Sequence, residues 1–342
     1  MADDLLPLRA VEAYLDGVGI GAGLATAQRI GDGHSNLTYR IQRGSTRVIL
    51  RRPPRPPLPP SAHDMLREAR ILQALAATRV RVPRVLSVCT DSSIVGAPFY
   101  LMEELDGVVL TGPPLDVAID PRAVSNDLVD ALCELHEVDP AACGLSDLGR
   151  PDGYLERQLA RFLSIWSVVK TRELDAVPEL GAWLAAHLPK HSDVTIVHGD
   201  YRLGNVMLKG SRISAILDWE LATLGDPLAD LGYLVASWSD AASPGTAIEL
   251  SPITRLAGFA DRDELVAHYA ARTGRSVTAL PFYEVLALWK AAVFCEGLYR
   301  RFQQGEQHDR WTANLEAGVP GLLAAAQRIA DLPSSNATTA HS

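Results

Sequence analysis

Features that announce secretion, membrane insertion or nucleic-acid binding are scarce in this chain. Only four cysteines occur in 342 residues, Cys89, Cys133, Cys143 and Cys295. None forms a C-x-x-C pair, which excludes a zinc knuckle or disulfide framework and leaves reduced core thiols in a cytoplasmic protein. No apolar run reaches 18 residues, so no segment is predicted to span a bilayer. The opening MADDLLPLRAVEAYL carries acids where a secretory leader needs basic residues. There is no long basic run, and 32 Lys and Arg against 41 Asp and Glu leave a net charge of −9, so nucleic acid is not an expected partner. No internal repeat is visible. What remains, 47% hydrophobic and 21% charged, is ordinary globular composition, and the length allows two domains or one large one.

One stretch organises the rest. Residues 194–232 read VTIVHGDYRLGNVMLKGSRISAILDWELATLGDPLADLG. The pattern predicts a strand over Val194–Val197, a polar turn over His198–Asn205, and a short strand over Val206–Leu208. A turn at Lys209–Ser211 leads into a strand over Ile213–Leu217 that ends at Asp218. Acids and an amide therefore stand just past the ends of apolar strands, where rigid backbone holds them. The hairpin returns Asp218 to the end that carries Asn205. Two hard oxygen ligands, Asn205 and Asp218, suit Mg²⁺, and Asp200 is left to accept a proton.

These residues carry a resemblance. HGDYRLGN resembles the H-x-D-x-x-x-x-N catalytic loop of protein kinases in the H-G-D spelling of small-molecule kinases, and Asp218 stands where the D-F-G aspartate falls. The chain resembles the aminoglycoside/choline phosphotransferase family. It looks closest to the branch that also appears as the kinase-like part of some acyl-CoA dehydrogenases. The resemblance implies a protein-kinase-like two-lobe α+β fold, with ATP between the lobes. It also implies Asp200 as catalytic base, and Asn205 and Asp218 as Mg²⁺ ligands.

Upstream of that stretch, apolar spacing at Leu8, Val11, Leu15 and Val18 predicts a short helix. Strands are then expected around AQRI, over Leu37–Gln42 and over Arg47–Arg51. Gly31 and Gly33 flank Asp32 in the first turn, which could lay backbone N–H groups and the Ser35 hydroxyl over phosphates; an ordinary hairpin turn is the other reading. In VILR, Arg51 takes the place of the kinases' strand lysine, with Arg52 the alternative if the register slips by one. RRPPRPPLPP reads as a stiff connector between a strand and the following helix, with a polyproline ligand for a partner domain as the other reading. Ser61 is expected to cap a helix running to about Ala77, whose Glu68 pairs with Arg51 in the kinase arrangement. Strands over Val85–Thr90 and Phe99–Glu103 complete a first lobe. The hinge follows over Met102–Gly107, with Glu103 placed at the adenine edge.

From about 121 the pattern is helical, with helices expected over 152–170, 176–189, Leu228–Trp238, Asp261–Thr273 and Pro281–Gln304. The expected organisation is a nucleotide-binding lobe at 1–105, a catalytic and substrate-binding lobe at 106–332, and a disordered tail at 333–342. Asp226 and Asp230 are expected to brace the catalytic loop, and His198 to be a core histidine. Trp289, Glu296, Tyr299 and Arg300 either line an acceptor pocket or form a packing stripe. No D-F-G…A-P-E activation segment follows Asp218, so a small hydroxylated acceptor is expected. A hydroxyacyl-CoA, another hydroxylated metabolite and an aminoglycoside all stay open, as does a nucleotide-binding module without transfer activity.

Overall fold

The computed structural model describes residues 5–31, 36–55, 63–110, 112, 118–150, 152–190, 193–239 and 245–331. Gly33 and Ser35 of the glycine turn, Ser61 and the 333–342 tail lie outside them.

The first lobe runs α1 (Leu8–Gly17), β1 (Ala25–Ile30), β2 (Leu37–Arg43), β3 (Thr46–Arg52), α2 (Met65–Leu75), β4 (Val85–Cys89), α3 (Ser92–Val95) and β5 (Phe99–Glu103). The strands form one antiparallel sheet in the order β1-β2-β3-β5-β4. Strand alternation sends successive side chains to opposite faces. Val48 and Leu50 of β3, with Phe99 and Leu101 of β5, join Val11 and Leu15 of α1 in one core. Ile49, Tyr100 and Met102 point the other way, into a core shared with α2 and the second lobe. The same alternation separates the two arginines at the end of β3. Arg51 shares the face of Ile49 and meets Glu68 of α2. Arg52 turns to the opposite side, where it donates to the carbonyls of Pro53, Leu5 and Val95. The one-residue slip is therefore ruled out. Helix α2 starts at Asp64, whose carboxylate accepts from the N–H groups of Leu66 and Arg67.

The second lobe comprises α4 (Pro121–His136), α5 (Tyr154–Val169), α6 (Ala176–Ala186), β6 (Thr195–Val197), β7 (Val206–Lys209), β8 (Arg212–Ile216), β9 (Thr223–Gly225), α7 (Leu228–Ser237), α8 (Arg262–Thr273), α9 (Leu280–Gln303) and α10 (Arg310–Ala330). β7 and β8 make the expected hairpin, and β6 pairs with β9, a three-residue strand too short to carry a sequence signal. Helix α10 is a further addition to the expected elements. Gly318, Pro320 and Gly321 interrupt its pattern, yet Leu315, Val319, Leu322, Leu323 and Ala326 are buried. Tertiary packing overrides a missing hydrogen bond at Pro320.

Arginines fasten the lobes together. Arg67 of α2 donates to the carbonyls of Glu220 and Ala222, just past Asp218. Arg81 reaches Ile213 O and pairs with Asp127 and Glu134 of α4. Among the described residues, no helix is long and apolar enough to cross a membrane.

Helices α7 and α9 cross at a glycine. A Cβ at Gly232 would lie 2.7 Å from the Tyr283 Cβ and 2.8 Å from its carbonyl carbon. Gly232→Val is therefore expected to destabilise the protein by about 1–3 kcal/mol through overpacking. A denaturant titration measures this, and a wild-type midpoint would mean the helices have room to separate.

Candidate functional site

The loop after β6 is held by backbone rather than by chance contacts. Asp230 of α7 is fully buried and accepts from His198 N at 2.6 Å and Gly199 N at 2.8 Å. It also receives His136 Nε2 at 3.3 Å, while His136 Nδ1 meets the Tyr269 hydroxyl at 2.8 Å. Burial alone would raise the Asp230 carboxyl, but the bonds from His136 and Gly199 hold it below the usual carboxylate range. Burial lowers His136 despite the Asp230 carboxylate, so the imidazole stays neutral as an Nε2–H donor. His198 is buried as expected. Its Nδ1 accepts from Asp200 N at 3.2 Å and its Nε2 donates to Leu217 O at 2.8 Å, which ties the catalytic-type loop to the strand that ends at Asp218. Gly199 has φ +85°, and a Cβ there would lie 2.9 Å from Leu221 O. Only glycine fits between His198 and Asp200.

Asp200, Asn205 and Asp218 come together as the spacing implies. Asn205 Nδ2 donates to the Asp200 carboxylate at 2.6 Å and to its carbonyl at 2.8 Å. Leu217 N donates to Asn205 O at 2.8 Å, which sets Asp218 beside it. Asp218 itself sits at φ +65°, ψ 67°, a left-handed conformation uncommon outside glycine and characteristic of strained functional positions. Arg202 Nε lies 3.5 Å from Asp200 Oδ1. The Tyr233 hydroxyl of α7 is also directed at this acid; burial first, and then Asp200, push its pKa well up.

Above the loop, Arg51 Nη2 bridges Glu68 at 3.2 Å and Asp218 at 3.1 Å. Burial works against charge on Arg51, but Glu68 and Asp218 outweigh it. Burial likewise pushes the Glu68 carboxyl up, and Arg51 pulls it back. At the lobe edge, Asn36 Nδ2 donates to Glu220 at 3.0 Å, so the residue after the glycine turn touches the turn after Asp218. Gly31 ends β1 with φ +76°. Glu103 is engaged with Arg84: its Oε1 accepts Arg84 N at 2.8 Å and its own N–H donates to Arg84 O at 3.0 Å.

The late-helix residues named from sequence form a packing stripe. Trp289 donates to Val177 O, and Glu296 is fully buried on Thr171 and Arg172. Tyr299 lies under Arg172 and Arg300 reaches Val168 O. Two residues near Asp200 were not anticipated, Tyr233 and Lys290. Lys290 did have a signal: it is the lone charge in LALWKAAVF.

A five-stranded antiparallel lobe over a helical lobe, joined across Arg51, Glu68 and Asp218, is the architecture of kinase-like phosphotransferases. The phosphotransferase enzyme family model matches residues 26–272, and the chain belongs to that family. It is 34% identical to acyl-CoA dehydrogenase family member 10 of Mus musculus over 88% of this chain and 29% of that protein. It is 32% identical to acyl-CoA dehydrogenase family member 11 of Rattus norvegicus over 87% of this chain and 40% of that protein. The chain thus spans well under half the length of these curated relatives. Among solved structures, a Ralstonia eutropha protein assigned to the aminoglycoside phosphotransferases superposes with TM-score 0.80 at 30% identity, covering 94% of this chain and 97% of that one. Spectinomycin phosphotransferase, solved with ADP and spectinomycin, shares the fold at TM-score 0.64 and 10% identity, with 94% and 98% covered.

The buried His136–Asp230 pair makes a pH-dependent prediction. The folded pKa of His136 lies below its unfolded value of about 6.5, so the unfolded chain binds the extra proton. Its contribution is complete above about pH 6.5 and is lost as pH falls toward the folded pKa. The gap in unfolding free energy between wild type and His136→Gln is therefore expected to narrow from pH 7 to pH 5. Denaturant titrations at both pH values measure it, and a widening gap would contradict a neutral buried imidazole.

Proposed function

We propose that the protein is an ATP-dependent small-molecule kinase that transfers the γ-phosphoryl group to a substrate hydroxyl. The observation that carries this reading is Asn205: its side-chain amide holds the Asp200 carboxylate at 2.6 Å while Leu217 N on its backbone carbonyl draws Asp218 alongside. Asp200 orients the acceptor hydroxyl and takes its proton as the oxygen attacks the γ-phosphorus; the bond to the β–γ bridging oxygen breaks and ADP leaves. The nucleotide lies between a first lobe ending near residue 105 and the helical lobe that follows. Its phosphates sit under the turn of Gly31, Gly33 and Ser35, and its base against the hinge at Glu103. Arg51, fixed by Glu68, takes phosphate oxygens; its Nε is buried without a protein hydrogen-bond partner among the described residues, as a phosphate contact requires.

Mg²⁺ fits the donor set. Among the described residues no group of three or more His, Cys, Asp or Glu could hold a metal. Asn205 Oδ1 and the Asp218 carboxylate supply two hard oxygens, which matches a cation that takes the rest from phosphate and water. Bound there, it would offset charge on the transferring phosphoryl group. The acceptor is a small hydroxylated molecule. The names of the curated relatives favour a hydroxyacyl-CoA over an aminoglycoside, and a cytoplasmic location is part of the proposal.

Asp200→Asn keeps size and polarity but removes basicity. It is expected to lower transfer on the order of 10²–10⁴-fold while ATP affinity stays near wild type. An ADP-release assay beside calorimetry measures both, and full transfer by this variant would remove Asp200 from the base role.

Asp218→Ala is expected to weaken Mg·ATP binding far more than metal-free ATP binding. Calorimetric titrations with and without Mg²⁺ separate the two, and equal losses would make Asp218 only a turn residue.

A further inference from the structure

Lys290 has no packing reason to be where it is. Helix α9 buries Leu286, Leu288 and Trp289 before it and Ala292 and Val293 after it. A lysine in such a run normally finds a carboxylate or extends to water. Lys290 is only part-exposed and makes no ion pair among the described residues; its ammonium instead lies 5.0 Å from the centroid of the Phe162 ring on α5. A cation on an aromatic face is held in place without being neutralised.

Its charged surroundings include the proposed catalytic acid. Asp200 from the loop and Asp230 from α7 face Lys290 electrostatically, and Arg161 from α5 opposes them. Arg202 stands on the other side of Asp200. The catalytic acid is thus flanked by positive charge, the reverse of what a polycationic acceptor needs. One helical turn beyond Lys290, Phe294 is 63% exposed, unusual for a phenylalanine on an otherwise buried helix. Lys290 therefore stands between the Phe162 ring that it contacts and an exposed Phe294 one turn along its own helix, so apolar surface flanks the cation. Burial first, and then Arg161, bring the Lys290 ammonium down to about 8.

We propose that Lys290 is the residue that anchors the acceptor. Its ammonium takes an anionic or carbonyl oxygen of a hydroxylated molecule whose carbon chain lies on Phe162 and Phe294, so that the hydroxyl reaches Asp200. This rests on the phosphotransferase reading above and deepens it. The acceptor class is a hydroxylated carboxylate or acyl compound, and cationic amines are disfavoured. Arg300 and Arg301, the cations in the last turn of this helix, are engaged elsewhere, on Val168 O and Glu306.

The test uses chain-matched probes: hydroxyhexanoates with the hydroxyl at different positions, the corresponding hexanediols, and the corresponding aminohexanols, each with ATP. Wild type is expected to prefer the acids over the diols and the diols over the amines. In Lys290→Met the acid-to-diol ratio of kcat/KM should fall about 10–100-fold, mainly through KM, as expected for a lost charge-assisted hydrogen bond. Lys290→Arg should restore most of the preference, and AMP-PNP affinity should be unchanged in both variants. The wild-type KM for the acid should rise above about pH 8, where the ammonium discharges, and Lys290→Arg should lose that rise. Equal losses on acid and diol, or a wild type with no preference for the acid, would overturn the proposal. If no probe accepts phosphate, the transfer reading fails for this acceptor class. Titration of hydroxyhexanoate into the ADP-saturated protein then decides the role of Lys290: binding that the Met variant loses and the Arg variant keeps supports it, and binding that is absent or indifferent to the substitution ends it.

Discussion

The buried Asp230 carboxylate is the interaction on which the site depends. It satisfies two consecutive backbone N–H groups, those of His198 and Gly199, at a point where the chain leaves β6 and has no strand partner for them. A buried donor without a partner costs about as much as a lost hydrogen bond, so this single acid makes the loop conformation affordable and fixes the direction in which Asp200 leaves it. The acid is in turn held by neutral His136, which reaches it from α4, and His136 is held by Tyr269 of α8. Three helices of the second lobe therefore converge on the two peptide groups ahead of Asp200.

Across the cleft, the constraint is electrostatic. Arg51 bridges an almost fully buried glutamate and the strained Asp218. Because guanidinium stays charged at any physiological pH, the bridge does not depend on the surrounding dielectric in the way a lysine would. Its planar fork lets it contact Glu68 and Asp218 through one nitrogen and keep Nε for something else. The cost is bulk, and it is met by the position of Arg51 on the cleft face of β3, beside Tyr100 across the strand pair.

Much of this was legible in the sequence because it depends on short-range chemistry. Strand ends, the H-G-D turn and the hairpin that returns Asp218 to Asn205 are all set within about twenty residues, whereas the pairing of Arg51 with Glu68 was only what the kinase resemblance implied. What could not be read depends on packing between distant segments. Helix α10 is broken by Pro320 and two glycines in its local pattern and exists because α9 buries it. Which of the late-helix residues face the site was also hidden: Trp289, Glu296 and Tyr299 share a stripe with any acceptor wall, and only the packing of α5 and α6 shows that they are spent on it. Lys290 was visible as a lone charge in an apolar run, but its setting against the ring of Phe162 and within the field of Asp200 required the fold. Tyr233 carried no signal, since a tyrosine in an apolar helix is usually core.

The choice of an amide at position 205 follows from the geometry of its two neighbours. Asn205 Nδ2 is committed to Asp200, and its Oδ1 is the atom left for a cation. An aspartate in its place would set a second carboxylate about as close to Asp200 as a hydrogen bond, where two like charges cannot both ionise freely, and one of the pair would take up a proton. That would remove either the proposed base or the proposed ligand. A glutamine would reach too far to keep the bond to the Asp200 carbonyl within the same turn. The amide alone presents a donor to the acid and leaves an acceptor free from one planar group, so that the proposed proton acceptor and the proposed cation seat are set by the same side chain.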